Sequence, residues 1–280
     1  MNLQEKGKRI KSGLFILLLS VTQFFTVGCS SEDIQQAQQT NADGYIVTEL
    51  TTAIDENNTV IENPDTQNVD MVSSDGSTQS SNWFDDAVFL GDSVTLKLSY
   101  YCDANTDALG NAQFFCAGSL GYTNALFPLD DENAVHPYYK GVIQKSEDCA
   151  VVTSANKVFV MLGMNDIGLY GTDGALESAV TLLGNIQSKS PNAVIYVQSV
   201  TPILPSHEGS SLNNTSVREF NEKLKNLSAE KGYHYLDIYS IMADENGALR
   251  ENYCGDPDAM GIHFTNEACA IWCEYLKNNV

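Results

Sequence analysis

Four short runs rich in β-branched, aromatic and aliphatic residues recur along the chain: "AVFLG" (87–91), "KVFVMLG" (157–163), "AVIYVQSV" (193–200) and "YHYLDIY" (233–239). The middle two are almost continuously apolar, the pattern of strands covered on both faces. A fifth, weaker run is "AQFFCAG" at 112–118. Helical patterns lie between them. Residues 175–189 place Leu176, Val180, Leu183 and Ile186 on one face and stop at Pro191, and residues 214–231 place Val217, Phe220, Leu224 and Leu227 similarly. "FTNEACAIWCEYLKNN" opens on Thr265 as an N-cap and gives a C-terminal helix. Strands alternating with helices predict an α/β fold with a parallel, doubly wound sheet. In such sheets ligands gather where the loops converge, at the carboxyl ends of the strands.

The ends of the 280-residue chain read differently. Residues 1–11 carry four basic side chains, and 14–27, "LFILLLSVTQFFTV", form an apolar run too short for a comfortable membrane span. Residues 1–28 are therefore expected to be a signal peptide. The run closes on "TVGCSS", which resembles the lipobox of bacterial lipoproteins and makes Cys29 the expected lipidated N-terminus, on the outer face of the cell membrane. An ordinary secretory signal with an incidental cysteine is the alternative. Residues 29–81 are rich in Ser, Thr, Asn, Gln and Asp without sustained periodicity, and are expected to be a polar tether. Residues 82–280 remain as one domain, large enough for a full core.

Removal of residues 1–28 would move the net charge from −21 to −24 (11 basic, 35 acidic residues). A body so acidic repels polyanions, so nucleic acid is not an expected partner. The domain holds six cysteines: Cys102, Cys116, Cys149, Cys254, Cys269 and Cys273. An even set in an exported protein permits disulfides, in any of fifteen pairings. Cys269 and Cys273 lie one helical turn apart, but no further ligands accompany them, so neither a metal nor a cofactor is expected.

The strand ends carry the chemistry. The first run ends in Gly91, Asp92 and Ser93, and "KVFVMLG" ends in Gly163, Met164, Asn165 and Asp166. A serine hydroxyl needs a base, and acyl transfer needs donors where the carbonyl oxygen becomes an oxyanion. The Ser93 N–H, at a strand-to-helix turn, is one candidate donor. Of four histidines, His136, His207 and His234 fit structural or solvated positions, whereas His263 stands just before the last helix and is the candidate base. Asn165 and Asp166 taken alone fit a turn equally well, and Asp92 fits a role in holding its turn.

"GDSV" near the domain start, "GMND" after 157–163 and "GIHFTNEA" before the final helix resemble blocks I, III and V of the SGNH or GDSL hydrolases, and "FFCAGSLGYTNAL" (114–126) resembles block II. The resemblance implies a flavodoxin-like three-layer α/β/α sandwich with a mainly parallel five-stranded sheet. It also implies Ser93 as nucleophile, His263 as base, and an oxyanion hole from the N–H of Ser93 and of a glycine with the Asn165 side chain. Gly118 is the expected glycine, with Gly121 as the alternative.

One position departs from that pattern. Where the family's block V carries an aspartate three residues before the histidine, this chain has Met260. The nearest carboxylates are Asp258 and Asp256, and Asp258 is the expected acid; the alternative is a Ser-His dyad oriented by a backbone carbonyl. The function expected is an exported serine esterase acting on a small ester or acylated glycan, with Tyr100, Tyr101, Tyr122, Tyr138 and Tyr139 as stacking faces for sugar or as core. Alternatives are a lipase or lysophospholipase, transfer of the acyl group to a sugar, and a non-catalytic glycan-binding lipoprotein, which Met260 keeps open.

Overall fold

The computed structural model describes residues 78–280. The signal peptide, Cys29 and all but the end of the tether lie outside the described residues. Each of the five sequence runs forms a strand: β1 (Ala87–Gly91), β2 (Gln113–Cys116), β5 (Lys157–Met161), β6 (Val194–Gln198) and β7 (His234–Leu236). They pair in parallel in the order β2-β1-β5-β6-β7. A two-stranded hairpin, β3 (Tyr138–Tyr139) with β4 (Val142–Ile143), stands apart from this sheet.

The helices are α1 (Ser93–Ala104), α2 (Cys149–Thr153), α3 (Met164–Lys189), α4 (Asn214–Lys231), α5 (Ile238–Met242) and α6 (Asn266–Asn279). Two separate cores show the three layers. Val88, Leu90, Val158, Val160 and Val197 turn to one face with α3 and α4, while Phe89, Phe159, Met161 and Tyr196 turn to the other with α1 and α6. This is the period-two alternation of a strand, here apolar on both sides. On the second face a ladder of rings crosses all five strands. Phe114, Phe89, Phe159, Tyr196 and His234 stack in sequence at centroid separations of 5.2, 4.5, 4.5 and 4.8 Å, and His234 thereby serves as a structural ring. The fold is the three-layer sandwich with a five-stranded sheet that the motifs imply, and its main sheet is wholly parallel.

From β1 the chain steps outward to β2 and then returns past β1 to β5, so the strand order reverses between β1 and β5. Such a switch point leaves a crevice at the carboxyl ends of the two strands. The segments leaving those two ends are Asp92-Ser93 and Met164-Asn165.

Candidate active site

Ser93 is the first residue of α1, and Asp92 is its N-cap, its carboxylate accepting the Val94 N–H at 2.9 Å. A side chain on Gly91 would meet Thr95 on the first turn of α1 at 2.0 Å, so only glycine lets β1 run so tightly into the helix. This turn sets the half-buried Ser93 hydroxyl on the crevice floor.

His263 arrives from the opposite end of the domain, just before α6, whose N-cap Thr265 accepts the Ala268 N–H. Its ring Nε2 lies 2.8 Å from Ser93 Oγ across 170 residues of sequence. Its Nδ1 lies 2.7 Å from Asp256 Oδ2. Burial works against ionisation of Asp256, but hydrogen bonds from the His263 ring and N–H, with the ring's charge when it is protonated, hold its carboxyl below the usual carboxylate range. An ionised carboxylate only accepts, so Nδ1 carries the proton and Nε2 is left to accept from the serine hydroxyl. That tautomer is the one a general base needs.

The carboxylate against the His263 ring is that of Asp256 and not that of Asp258, where the sequence led to Asp258. Asp258 is exposed in the turn 257–260. The Asp256 carbonyl accepts from the Ala259 and Gly261 N–H groups, closing that turn, and Gly261 leaves it with φ +65°, a conformation that favours glycine. The Asp256 carboxylate then accepts N–H bonds from Met260 at 3.3 Å, Ile262 at 3.1 Å and His263 at 3.0 Å. Its first oxygen also receives the Cys254 thiol at 3.4 Å. Met260, at the position usual for the acid, points to solvent at 55 % exposure. Sequence carried one signal for Asp256: it precedes Pro257, and Asp-Pro favours the start of a turn.

The segment after β2 closes the other side. Its Ala117 N–H donates to the Gly91 carbonyl at 3.2 Å, fixing it beside the serine turn. Gly118 and Ser119 then form a turn closed by the Leu120 N–H on the Ala117 carbonyl, with Ser119 at φ +61°. Gly118 is exposed, and a side chain there would meet nothing within 4 Å. Gly121 is buried, its N–H is given to Asn124 Oδ1 at 2.8 Å, and a side chain there would strike the Asp166 carboxylate at 2.6 Å. Among the described residues the Gly118 N–H has no acceptor, whereas that of Gly121 is already used.

Asn165 and Asp166, at the start of α3, both reach into this segment. The Asn165 amide donates to the Leu120 carbonyl at 3.0 Å, which leaves its second N–H for another acceptor. Asp166 is buried and accepts the Tyr122 and Thr123 N–H groups, each at 2.8 Å. Its role as a clamp on a segment 43 residues earlier in the chain had no signal in the sequence beyond the motif itself. Of the tyrosines considered as sugar platforms, Tyr122 is fully buried against Phe220, Tyr139 packs on Phe115, and Tyr100 and Tyr138 are more than half exposed.

A parallel α/β/α sandwich with a Ser-His-Asp hydrogen-bonded array at its switch point defines a class of proteins arranged for chemistry at a serine hydroxyl. Residues 89–271 match the GDSL-like Lipase/Acylhydrolase family, and the chain belongs to it. Solved structures agree on the fold. A GDSL-like lipase from Bacteroides thetaiotaomicron superposes with a TM-score of 0.51 at 14% identity, over 69% of this chain and 86% of that one. The lipase/acylhydrolase from Enterococcus faecalis superposes with a TM-score of 0.50 at 13% identity, over 68% and 93%. No curated protein matches this sequence significantly.

Proposed function

We propose that this protein is an exported serine esterase that removes short acyl groups, acetyl foremost, from carbohydrate or cell-wall esters, held at the outer face of the membrane by a lipid on Cys29. The observation that carries the reading is the continuous relay from Ser93 Oγ through the His263 ring to Asp256. His263 Nε2 takes the hydroxyl proton as Ser93 Oγ attacks the ester carbonyl, and Asp256 stabilises the imidazolium that results. The N–H groups of Ser93 and Gly118 and the free amide N–H of Asn165 are the donors for the oxyanion. The imidazolium returns its proton to the departing alcohol; His263 then activates a water, which releases the acid and restores Ser93. With Asp256 behind the ring, Met260 no longer argues for an idle serine. The exposed turn at Gly118 and Ser119, held beside the serine turn, carries no apolar side chain, which favours a small acyl group.

Hydrolysis of acetyl, octanoyl and longer model esters, with labelling by a fluorophosphonate probe, tests this. Acetyl is expected to be the best substrate, the probe to label Ser93, and Asn165→Ala to lose roughly 100- to 1,000-fold in turnover. A preference for long chains would make the protein a lipase, a reading favoured by Leu169 and Tyr170, exposed just beyond Asn165. Unchanged rates in both Ser93→Ala and Asn165→Ala would overturn the mechanism.

A further inference from the structure

Three of the six cysteines in the domain meet in one place, away from the relay. Cys102 continues the buried stripe Val94, Leu98 and Cys102 of α1, and Cys269 and Cys273 lie on the face of α6 that packs against it. Their exposures are 9 %, 0 % and 3 %. The two helices are pinned at matching levels: Lys97 Nζ donates to Asn266 Oδ1 at 2.9 Å near the start of both, and Lys277 Nζ donates to the Asp107 carbonyl at 3.3 Å beyond the end of α1. The helices therefore run side by side in the same direction, and Cys102 comes level with the Cys269-Cys273 turn. Cys102, Cys269 and Cys273 share one buried apolar cluster between the two helices.

We propose that Cys102 and Cys273 are a disulfide-forming pair, which covalently fastens the helix headed by Ser93 to the helix that follows His263. A small disulfide such as oxidised glutathione supplies the oxidising equivalents. One cysteine thiolate attacks its S–S bond, forming a mixed disulfide and releasing one glutathione thiolate. The second cysteine thiolate displaces the other glutathione, the protein loses two hydrogens, and their protons end on the two glutathione thiols. The closed loop spans most of the domain, the condition under which a cross-link restricts the unfolded chain most. In the reduced fold the neighbouring Cys102 and burial both push the Cys273 thiol up, and burial pushes Cys269 up to about 12. Reaction at neutral pH therefore proceeds through opening of the helix pair, and the test is set at equilibrium.

The native protein is equilibrated in glutathione buffers of graded ratio just below its unfolding midpoint, quenched with N-ethylmaleimide and mapped by peptide mass. The expected product is a linked peptide carrying Cys102 and Cys273, formed equally in Cys269→Ser. Oxidation is expected to raise the thermal midpoint of the wild type by roughly 5–15 °C over the reduced protein, and not to raise that of Cys273→Ser. Absence of the linked peptide at every ratio, joining of Cys102 to any other cysteine, or equal midpoints for oxidised and reduced wild type would overturn the proposal. The comparison within the wild type stands even if a serine variant folds poorly.

Discussion

Seven positions separate Asp256 from His263, and the intervening turn makes that spacing work. Because the carboxylate accepts N–H bonds from Met260, Ile262 and His263 as well as the ring proton, the segment that orients the histidine is built around its own acid. Asp256→Asn offers Nδ1 an amide in place of a pure acceptor and allows the wrong tautomer. Its kcat on a model ester should fall on the order of 10³- to 10⁴-fold. Asp258→Asn, exposed on the turn, should leave kcat within about twofold. The reverse ranking would return the role to Asp258. That Ser93 and His263 would meet was legible in the sequence, because each sits in a local motif tied to one element boundary. The acid was less legible because an inserted turn changes its spacing, and only the hydrogen bonds that fold the turn back show which carboxylate faces the ring.

Elements position the site in pairs. The segment 117–123 has no regular structure beyond short turns, and it is held by Asn165 and Asp166 from the first turn of α3. Gly121→Ala would drive a methyl group to within 2.6 Å of the Asp166 carboxylate, so either the clamp or the segment must shift. The expected result is a loss of kcat of about 10- to 100-fold with KM much less affected, since a misplaced oxyanion donor is felt in the transition state. Gly118→Ala, which meets open space, should be the milder change; equal losses in the two variants would show that the Asp166 clamp does not matter. At this scale the strands were legible because each is an apolar run covered on two faces. The start of α3 was not: periodicity places a helix from 175, whereas the structure begins α3 at Met164 and breaks its regularity at Gly171, with φ +68° and ψ 175°. The seven residues before that break carry the site, and so short a segment shows no hydrophobic period. The β3–β4 hairpin has two-residue strands and is too short to alternate visibly.

At the scale of the whole molecule the site imposes a cost on the fold through Asp92. Its cap is buried beneath the serine turn, and burial pushes its carboxyl up from 3.8 to about 6, against the pull of the Val94 N–H and the His263 charge. Asp166 nearby pushes the same way as burial. A carboxyl whose folded pKa is raised holds its proton longer in the folded state, so its contribution to stability is complete below pH 3.8 and is lost as pH rises through about 6. The shift corresponds to about 3 kcal/mol over that window. Asp256 has the opposite sign: its contribution is present above the ordinary carboxylate range and disappears on stronger acidification. The acidic body, with net charge −21, also repels itself less as pH falls toward 5, so a bare pH profile mixes these effects. Asp92→Asn separates them. Asparagine keeps the oxygen that accepts the Val94 N–H and remains a good cap, but it does not titrate. In urea unfolding at pH 4 to 7.5, the variant should gain on the wild type as pH rises, by about 2.4 kcal/mol across the range, while m stays unchanged. Parallel stability curves for the two proteins would show that burial leaves the Asp92 carboxyl at its ordinary value, and that the serine turn rests on a charged cap at neutral pH.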